Sequence, residues 1–313
     1  MADTAPPADP SHPGVSVVIP AYNYAHYLPE AMDSVLQQDY PHFELIIVDD
    51  GSTDNTPAIV ANYGNRARYI HQKNAGLPAA RNTGIRHAHF SYVMFLDADD
   101  LLLPGQLRAA MRALAALPAE FAIIAFPTEN MDQHGNPLPT KQLAPTAARE
   151  ITLRDILLKT RFGTTGLLAK KSAFDDCGNF DETLRSSEDR DMWIRIASRR
   201  KIFLHNERLI RIRRHAVSMS KNSDRMKANT HRVISKAWRD RRVPHSDIAF
   251  WLRVHSFRHF QAAWMYHDEG RPAAAVRDLL ISLLLWPWFP QPQQLNEPPL
   301  FRLRSLLRFL RGK

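Results

Sequence analysis

A chain of 313 residues and 35.8 kDa, 44% hydrophobic and 23% charged, has the balance of a globular protein of about two domains; a wholly disordered, collagenous or coiled-coil chain is excluded. Its single cysteine, Cys177, excludes an internal disulfide framework and a multi-cysteine zinc site and fits a reducing compartment. The net charge of +9 is unevenly placed: residues 1–100 hold 5 Lys/Arg against 12 Asp/Glu, residues 101–200 hold 14 against 12, and residues 201–313 hold 22 against 8. An acidic front suits a cation site, and a basic rear suits an anionic partner, either nucleic acid or a phospholipid surface.

Residues 1–14 carry four prolines and neither a basic residue nor an apolar run, so they read as a flexible lead-in rather than a secretory signal. From Val15 on, β-branched runs alternate with segments of helical period. Strands are expected at 15–19, 43–48, 68–71, 92–96 and 121–126, and helices at 25–38, 56–63, 77–88 and 105–117. That alternation predicts an α/β domain with a mainly parallel central sheet over residues 15–220, and ligands of such sheets sit beyond the carboxyl ends of the strands. Residues 127–150 read as a mobile loop or an excursion across the site. Residues 221–313 read as a basic helical region, with a helical pair around Gly270. The longest apolar stretch, Leu279 to Phe289, falls far short of the ~20 residues that a spanning helix needs, so no transmembrane span is expected.

Several clusters carry chemistry. After the apolar run Tyr92 to Leu96 come Asp97, Asp99 and Asp100; Asp97 and Asp99 share one side of an extended chain and can approach one hard cation, or the segment is a solvated turn in which Asp100 caps the next helix. Asp49 and Asp50 follow the second strand, where Asp50 is favoured as a ligand group over a plain turn, while Thr53 or Asp54 is placed as a helix cap. Arg81, in a helix after a Lys73 to Gly76 loop, either forks onto a diphosphate or steadies the acidic loop. Glu188 and Asp189 open a helix, where carboxylates complement the dipole or serve as a general base. The segment Arg211 to Ser220 is expected to close over phosphates, with His215 as a metal ligand or an ordinary structural histidine.

Six segments in order, Val15 to Asn23, Phe43 to Asp54, Asn74 to Gly84, Phe95 to Asp100, Ser187 to Trp193 and Arg213 to His215, resemble the inverting family 2 glycosyltransferases of GT-A (Rossmann-like) fold. The resemblance implies that Pro20, Tyr22 and Asp50 surround a nucleotide base, that Arg81 lies near the base and the acidic loop, and that Asp97 touches the ribose or the metal shell. It further implies that Asp99, with Asp97 and His215, holds Mn²⁺ or Mg²⁺, and that Asp189 is the catalytic base with Glu188 beside it. The implied donor is a nucleotide-diphosphate sugar, a UDP-sugar before others, and the acceptor a hydroxyl of a sugar, lipid-linked or protein substrate in polysaccharide or glycoconjugate biosynthesis. Two other classes compete. A nucleotidyltransferase would carry a Gly/Lys-rich phosphate loop where Pro20-Ala21-Tyr22-Asn23 stands, and a non-catalytic nucleic-acid or lipid-binding module would leave the acidic front unexplained; nucleic acid is therefore disfavoured as a partner. At the end of the chain, Leu303, Leu306, Leu307 and Leu310 fall on one helical face with Arg304, Arg308 and Arg311 elsewhere. With Trp286 and Trp288 nearby, that helix either lies on an anionic membrane or packs on protein. The expected location is cytoplasmic, peripheral to the inner face of the cell membrane if the helix binds lipid.

Overall fold

The computed structural model describes residues 13–139, 147–215, 222–287 and 301–310. The lead-in up to residue 12, Ser218, Ser220, Trp288, Leu300 and Arg311 lie outside them. The chain divides into two compact units: the first takes the chain up to Ile151 with Arg161–Leu184 and Arg195–His215, and the second takes Thr152–Thr160, Arg185–Ile194 and the chain from Ala216 onward.

In the first unit the strands are β1 (Val15–Ala21), β2 (Phe43–Asp49), β3 (Arg68–His71), β4 (Tyr92–Phe95), β5 (Leu101–Leu102), β6 (Phe121–Ala125), β7 (Glu129–Met131), β8 (Arg149–Ile151), β9 (Leu168–Lys170), β10 (Lys201–Leu204) and β11 (Ile210–Arg213). Its helices are α1 (Leu28–Leu36), α2 (Thr56–Ala61), α3 (Leu77–His87), α4 (Gln106–Ala115) and α6 (Lys171–Cys177). The main sheet runs β3-β2-β1-β4-β9-β6-β10-β8, and β5-β11-β7 form a small second sheet. Strands β3, β2, β1 and β4 are mutually parallel, β9 enters antiparallel between β4 and β6, and β8 lies antiparallel on β10. The expected strand–helix alternation is therefore present from Val15 to Ala125, while the stretch expected as an excursion supplies β7 and β8.

Every residue of β1 is buried, because helices cover both faces of the sheet. On one face Val17 and Ile19 join Ile47, Met94 and the α1 residues Leu28, Met32 and Val35. On the other, α3 approaches β1 closely at Gly84, where an added Cβ would lie 2.2 Å from Val18 Cγ1. Since β2 lies on one side of β1 and β4 on the other, the order reverses at β1/β4, and the carboxyl ends of all three strands open on that reversal.

The second unit contains α5 (Leu153–Leu158), most of α7 (Glu188–Ala197), α8 (Ser223–Arg239), α9 (Ile248–Asp268), α10 (Pro272–Leu285) and α11 (Phe301–Leu310). Thr152 and Asp155 form a capping box at α5, and Asn222 and Asp247 cap α8 and α9 through their side chains. No described helix is long and apolar enough to cross a membrane.

Candidate active site

The loops beyond β1 and β2 are tied to one another by side chains. Asn23 Oδ1 accepts the Thr53 N–H at 2.8 Å, Ser52 Oγ accepts the Asn23 N–H at 3.0 Å, and Asn23 adopts φ 56°. Asp54 accepts from the Ala25 N–H and from both the N–H and hydroxyl of Thr56, so its part is that of a helix-entry cap. Asp49 is fully buried, accepting from the Ser52 N–H and the Tyr69 hydroxyl. Burial and that carboxylate push the Tyr69 phenol well above its ordinary range.

Asp50 is also buried, and its carboxylate is already occupied by donors. Oδ1 accepts from Gln72 Nε2 at 2.7 Å and the Ala75 N–H at 2.9 Å, and Oδ2 accepts from the Gly76 N–H at 2.8 Å. This carboxylate thus shapes the turn into α3, where Gly76 takes φ 95°. Gly51 has φ 78°, and an added Cβ there would meet the Asn74 nitrogen at 2.8 Å. Pro20 is buried within β1, and Tyr22, just past its end, is 46% exposed.

Arg81 is buried in α3; its Nη2 donates to Asp97 Oδ1 at 2.8 Å, and its guanidinium lies 5.7 Å from the Phe180 ring centroid. From this position Arg81 steadies the acidic loop. The Asp97 N–H donates to Thr165 Oγ1, and the Asp100 N–H to the Asp97 carbonyl. Asp99 Oδ2 lies 2.8 Å from His215 Nε2. Burial and the neighbouring Asp97 raise the Asp99 carboxyl above its usual range, with His215 pulling the other way. Burial raises the Tyr24 hydroxyl to about 12, helped by Asp99 and Asp97, and the Tyr24 ring sits edge-on to His215 at 6.0 Å.

Arg213, within the segment expected to close over phosphates, lies at the end of β11. Its side chain is 1% exposed; Nε donates to the Asp99 carbonyl at 2.9 Å, Nη1 to the Gln133 carbonyl at 3.1 Å and Nη2 to Glu30 at 2.5 Å, while its N–H donates to Asp100 Oδ1. With these bonds made, Arg213 braces the acidic loop. Arg214 and Arg211 are engaged by Asn130 and Glu129.

Glu188 and Asp189 belong to the second unit, at the first turn of α7. Ser187, just before them, has φ 61°, and its hydroxyl lies 3.2 Å from that of Thr230; Ser186 Oγ accepts from Asn229. Glu188 is buried, whereas Asp189 is partly exposed and its Oδ1 accepts the Arg190 N–H. Arg190 anchors this turn through the Ile156 and Leu157 carbonyls of α5, and burial lowers its guanidinium to about 10. Asp191 pairs with Lys236 at 3.0 Å.

Residues 16–178, just over half of the chain, match glycosyl transferase family 2. The chain belongs to that family. Among curated family relatives, an uncharacterized glycosyltransferase of Rickettsia prowazekii is 34% identical over 207 residues, 65% of each chain. A putative teichuronic acid biosynthesis glycosyltransferase of Bacillus subtilis, TuaG, is 32% identical over 187 residues, 58% of this chain and 71% of that one. This chain spans less than two thirds of the first relative's length and about a third of some other Rickettsia relatives. Among solved structures, Staphylococcus aureus TarS with UDP-GlcNAc superimposes with a TM-score of 0.65 at 22% identity, covering 87% of this chain and 81% of that one. The mannosyltransferase PcManGT of Pyrobaculum calidifontis, with GDP-Man and Mn²⁺, gives 0.64 at 19% identity, covering 98% and 88%. These likenesses establish the fold.

Whether the family 2 acidic loop suits a cation is a question of donors. Among the described residues no three His, Cys, Asp or Glu side chains gather closely enough to hold a metal by themselves. Asp97 and Asp99 are nonetheless hard oxygen donors, 35% and 20% exposed, and Asp97 Oδ2 accepts no hydrogen bond among the described residues. That set fits a cation shared with phosphate oxygens better than a protein-only cage. His215 stands as the hydrogen-bond partner of Asp99.

Proposed function

We propose that this chain is an inverting, metal-dependent glycosyltransferase that moves a sugar from a nucleotide-diphosphate sugar to an acceptor hydroxyl in polysaccharide or glycoconjugate biosynthesis. The observation that carries the reading is the pair of partly open carboxylates, Asp97 held by Arg81 and Asp99 held by His215, at the strand-order reversal of a family 2 chain. Pro20, Tyr22 and Asp50 flank the base, Asp50 through the loop it organises. Asp99, with Asp97 beside it, would hold Mn²⁺ or Mg²⁺, which when bound offsets the negative charge of the diphosphate. Asp189 takes the proton of the acceptor hydroxyl, whose oxygen bonds to the anomeric carbon as the bond to the diphosphate oxygen breaks, and Glu188 positions that base. A UDP-sugar is favoured as donor, in keeping with the UDP-GlcNAc bound by TarS, and a GDP-sugar is the comparison.

Thermal shift against UDP- and GDP-sugars, with and without Mn²⁺, tests the donor, since a ligand at 100 times its Kd adds about 2.7 kcal/mol of stability. No shift with any nucleotide sugar would overturn the reading. Asp99→Ala is expected to weaken Mn²⁺-dependent donor binding about tenfold or more, read by calorimetry. Asp189→Asn is expected to abolish transfer while leaving nucleotide affinity in place; transfer at the parent rate would remove the base assignment.

A further inference from the structure

Two neighbouring helices of the second unit bury polar side chains while leaving large leucines in the open. On α10 the buried side holds Asp278 and Ser282 beside Ala275 and Leu279, while Arg277, Leu280 and Leu284 form one stripe facing out, with Leu280 45% and Leu284 84% exposed. On α11 the buried residues are Arg302, Ser305 and Phe309, whereas Leu303 is 42% and Leu307 55% exposed, with Arg304 and Arg308 one position further round. Polar bonds hold this arrangement: Arg302 Nη1 donates to Ser256 Oγ at 2.6 Å and Ser282 Oγ at 3.0 Å, and the guanidinium lies 5.1 Å from the Phe260 ring centroid. The leucines are thus spared from packing α11 onto its neighbours. Exposing large apolar side chains while burying charged ones forgoes hydrophobic stabilisation, so the outward stripes call for a partner.

We infer that the exposed leucines of α10 and α11 dock on an anionic phospholipid surface. Charge selects that occupant: Arg304 and Arg308 flank the exposed leucines of α11, the helix carries no acidic residue, and residues 201–313 hold 22 basic against 8 acidic. Leucines interleaved with arginines suit the headgroup boundary, where apolar side chains enter the acyl region and guanidinium groups stay with lipid phosphates. The attachment lies along the interface, as no described helix is long and apolar enough to cross. It stands apart from sugar transfer, because binding is read without donor or acceptor.

The test is flotation of the full chain with vesicles of phosphatidylglycerol and phosphatidylcholine, against vesicles of phosphatidylcholine alone. The protein should float with the anionic vesicles and be released by high salt. Replacing the stripe (L280S/L284S with L303S/L307S) should weaken binding about tenfold or more, and R304S/R308S should weaken it selectively for the anionic vesicles. An unchanged Tm in each variant would show the fold intact; should the leucine set fail to fold, L303S/L307S alone replaces it, and since Arg308 lies 5.3 Å over the Trp264 ring, R304S alone replaces the arginine pair if that melts lower. Absence of flotation, or flotation unaffected by the leucine replacements, overturns the inference. So does a parent that sediments as a dimer and becomes monomeric in L303S/L307S without binding vesicles, which would assign the stripe to a second copy.

Discussion

Arg213 has no place in the transfer chemistry proposed for this chain, yet the acidic loop rests on it. Its guanidinium satisfies the carbonyls of Asp99 and Gln133 from a nearly sealed position, so Arg213→Met should remove both bonds. We expect a loss of about 2 kcal/mol in urea unfolding, together with weaker donor binding. The ion pair to Glu30 adds little to that figure, because Glu30 is 50% exposed. At this scale the sequence was legible in part. Asp97, Asp99 and Arg81 stand out through their position after an apolar strand and within a helix, but the partner of Arg213 lies 183 positions away and only the folded chain brings the two together. The same holds for Asp50: its place after β2 marks it as special, whereas the three donors that fill it come from a later loop.

Elements extend the argument to packing. Gly84→Ala should destabilise the first unit by roughly 1–3 kcal/mol in thermal or urea melts, since the added methyl meets the stiff Val18 side chain under α3. In the second unit Asp278 of α10 receives His259 of α9, Lys227 of α8 and Arg277. Burial alone would raise its carboxyl, but these hydrogen bonds outweigh it and hold the group far below the usual carboxylate range. A depressed carboxyl contributes stability that is fully present above its unfolded value of about 4 and lost as pH falls through the folded one, so acid melts should weaken these helices below about pH 4. Asp278→Asn should cost roughly 3–5 kcal/mol at neutral pH by leaving cations unpaired, and should remove that part of the acid dependence. Strands β1, β2 and β4 were readable because burial on both faces makes them continuous apolar runs. The short β9 was not, since three residues give no period. For α11, periodicity located the leucine stripe but is silent on which way a stripe faces.

Across the molecule, the charge gradient along the chain is the property most plainly written in the sequence, and it foretold both an acidic cluster near the front and cationic helices behind. What composition left open was the partition of the chain. Thr152–Thr160 and Arg185–Ile194 are grouped with the C-terminal helices, an arrangement with no local signature. Having only Cys177, the chain should melt at the same temperature with and without reductant; a difference would reveal a disulfide between copies. The three bonds to Asp50 have one more consequence. The turn they brace is the root of α3, and that helix carries Arg81, whose far end grips Asp97. A disturbance of the Asp50 turn is thereby relayed along little more than one turn of helix to the Asp97 carboxylate, so the loops that follow β2 and β4 are mechanically one unit.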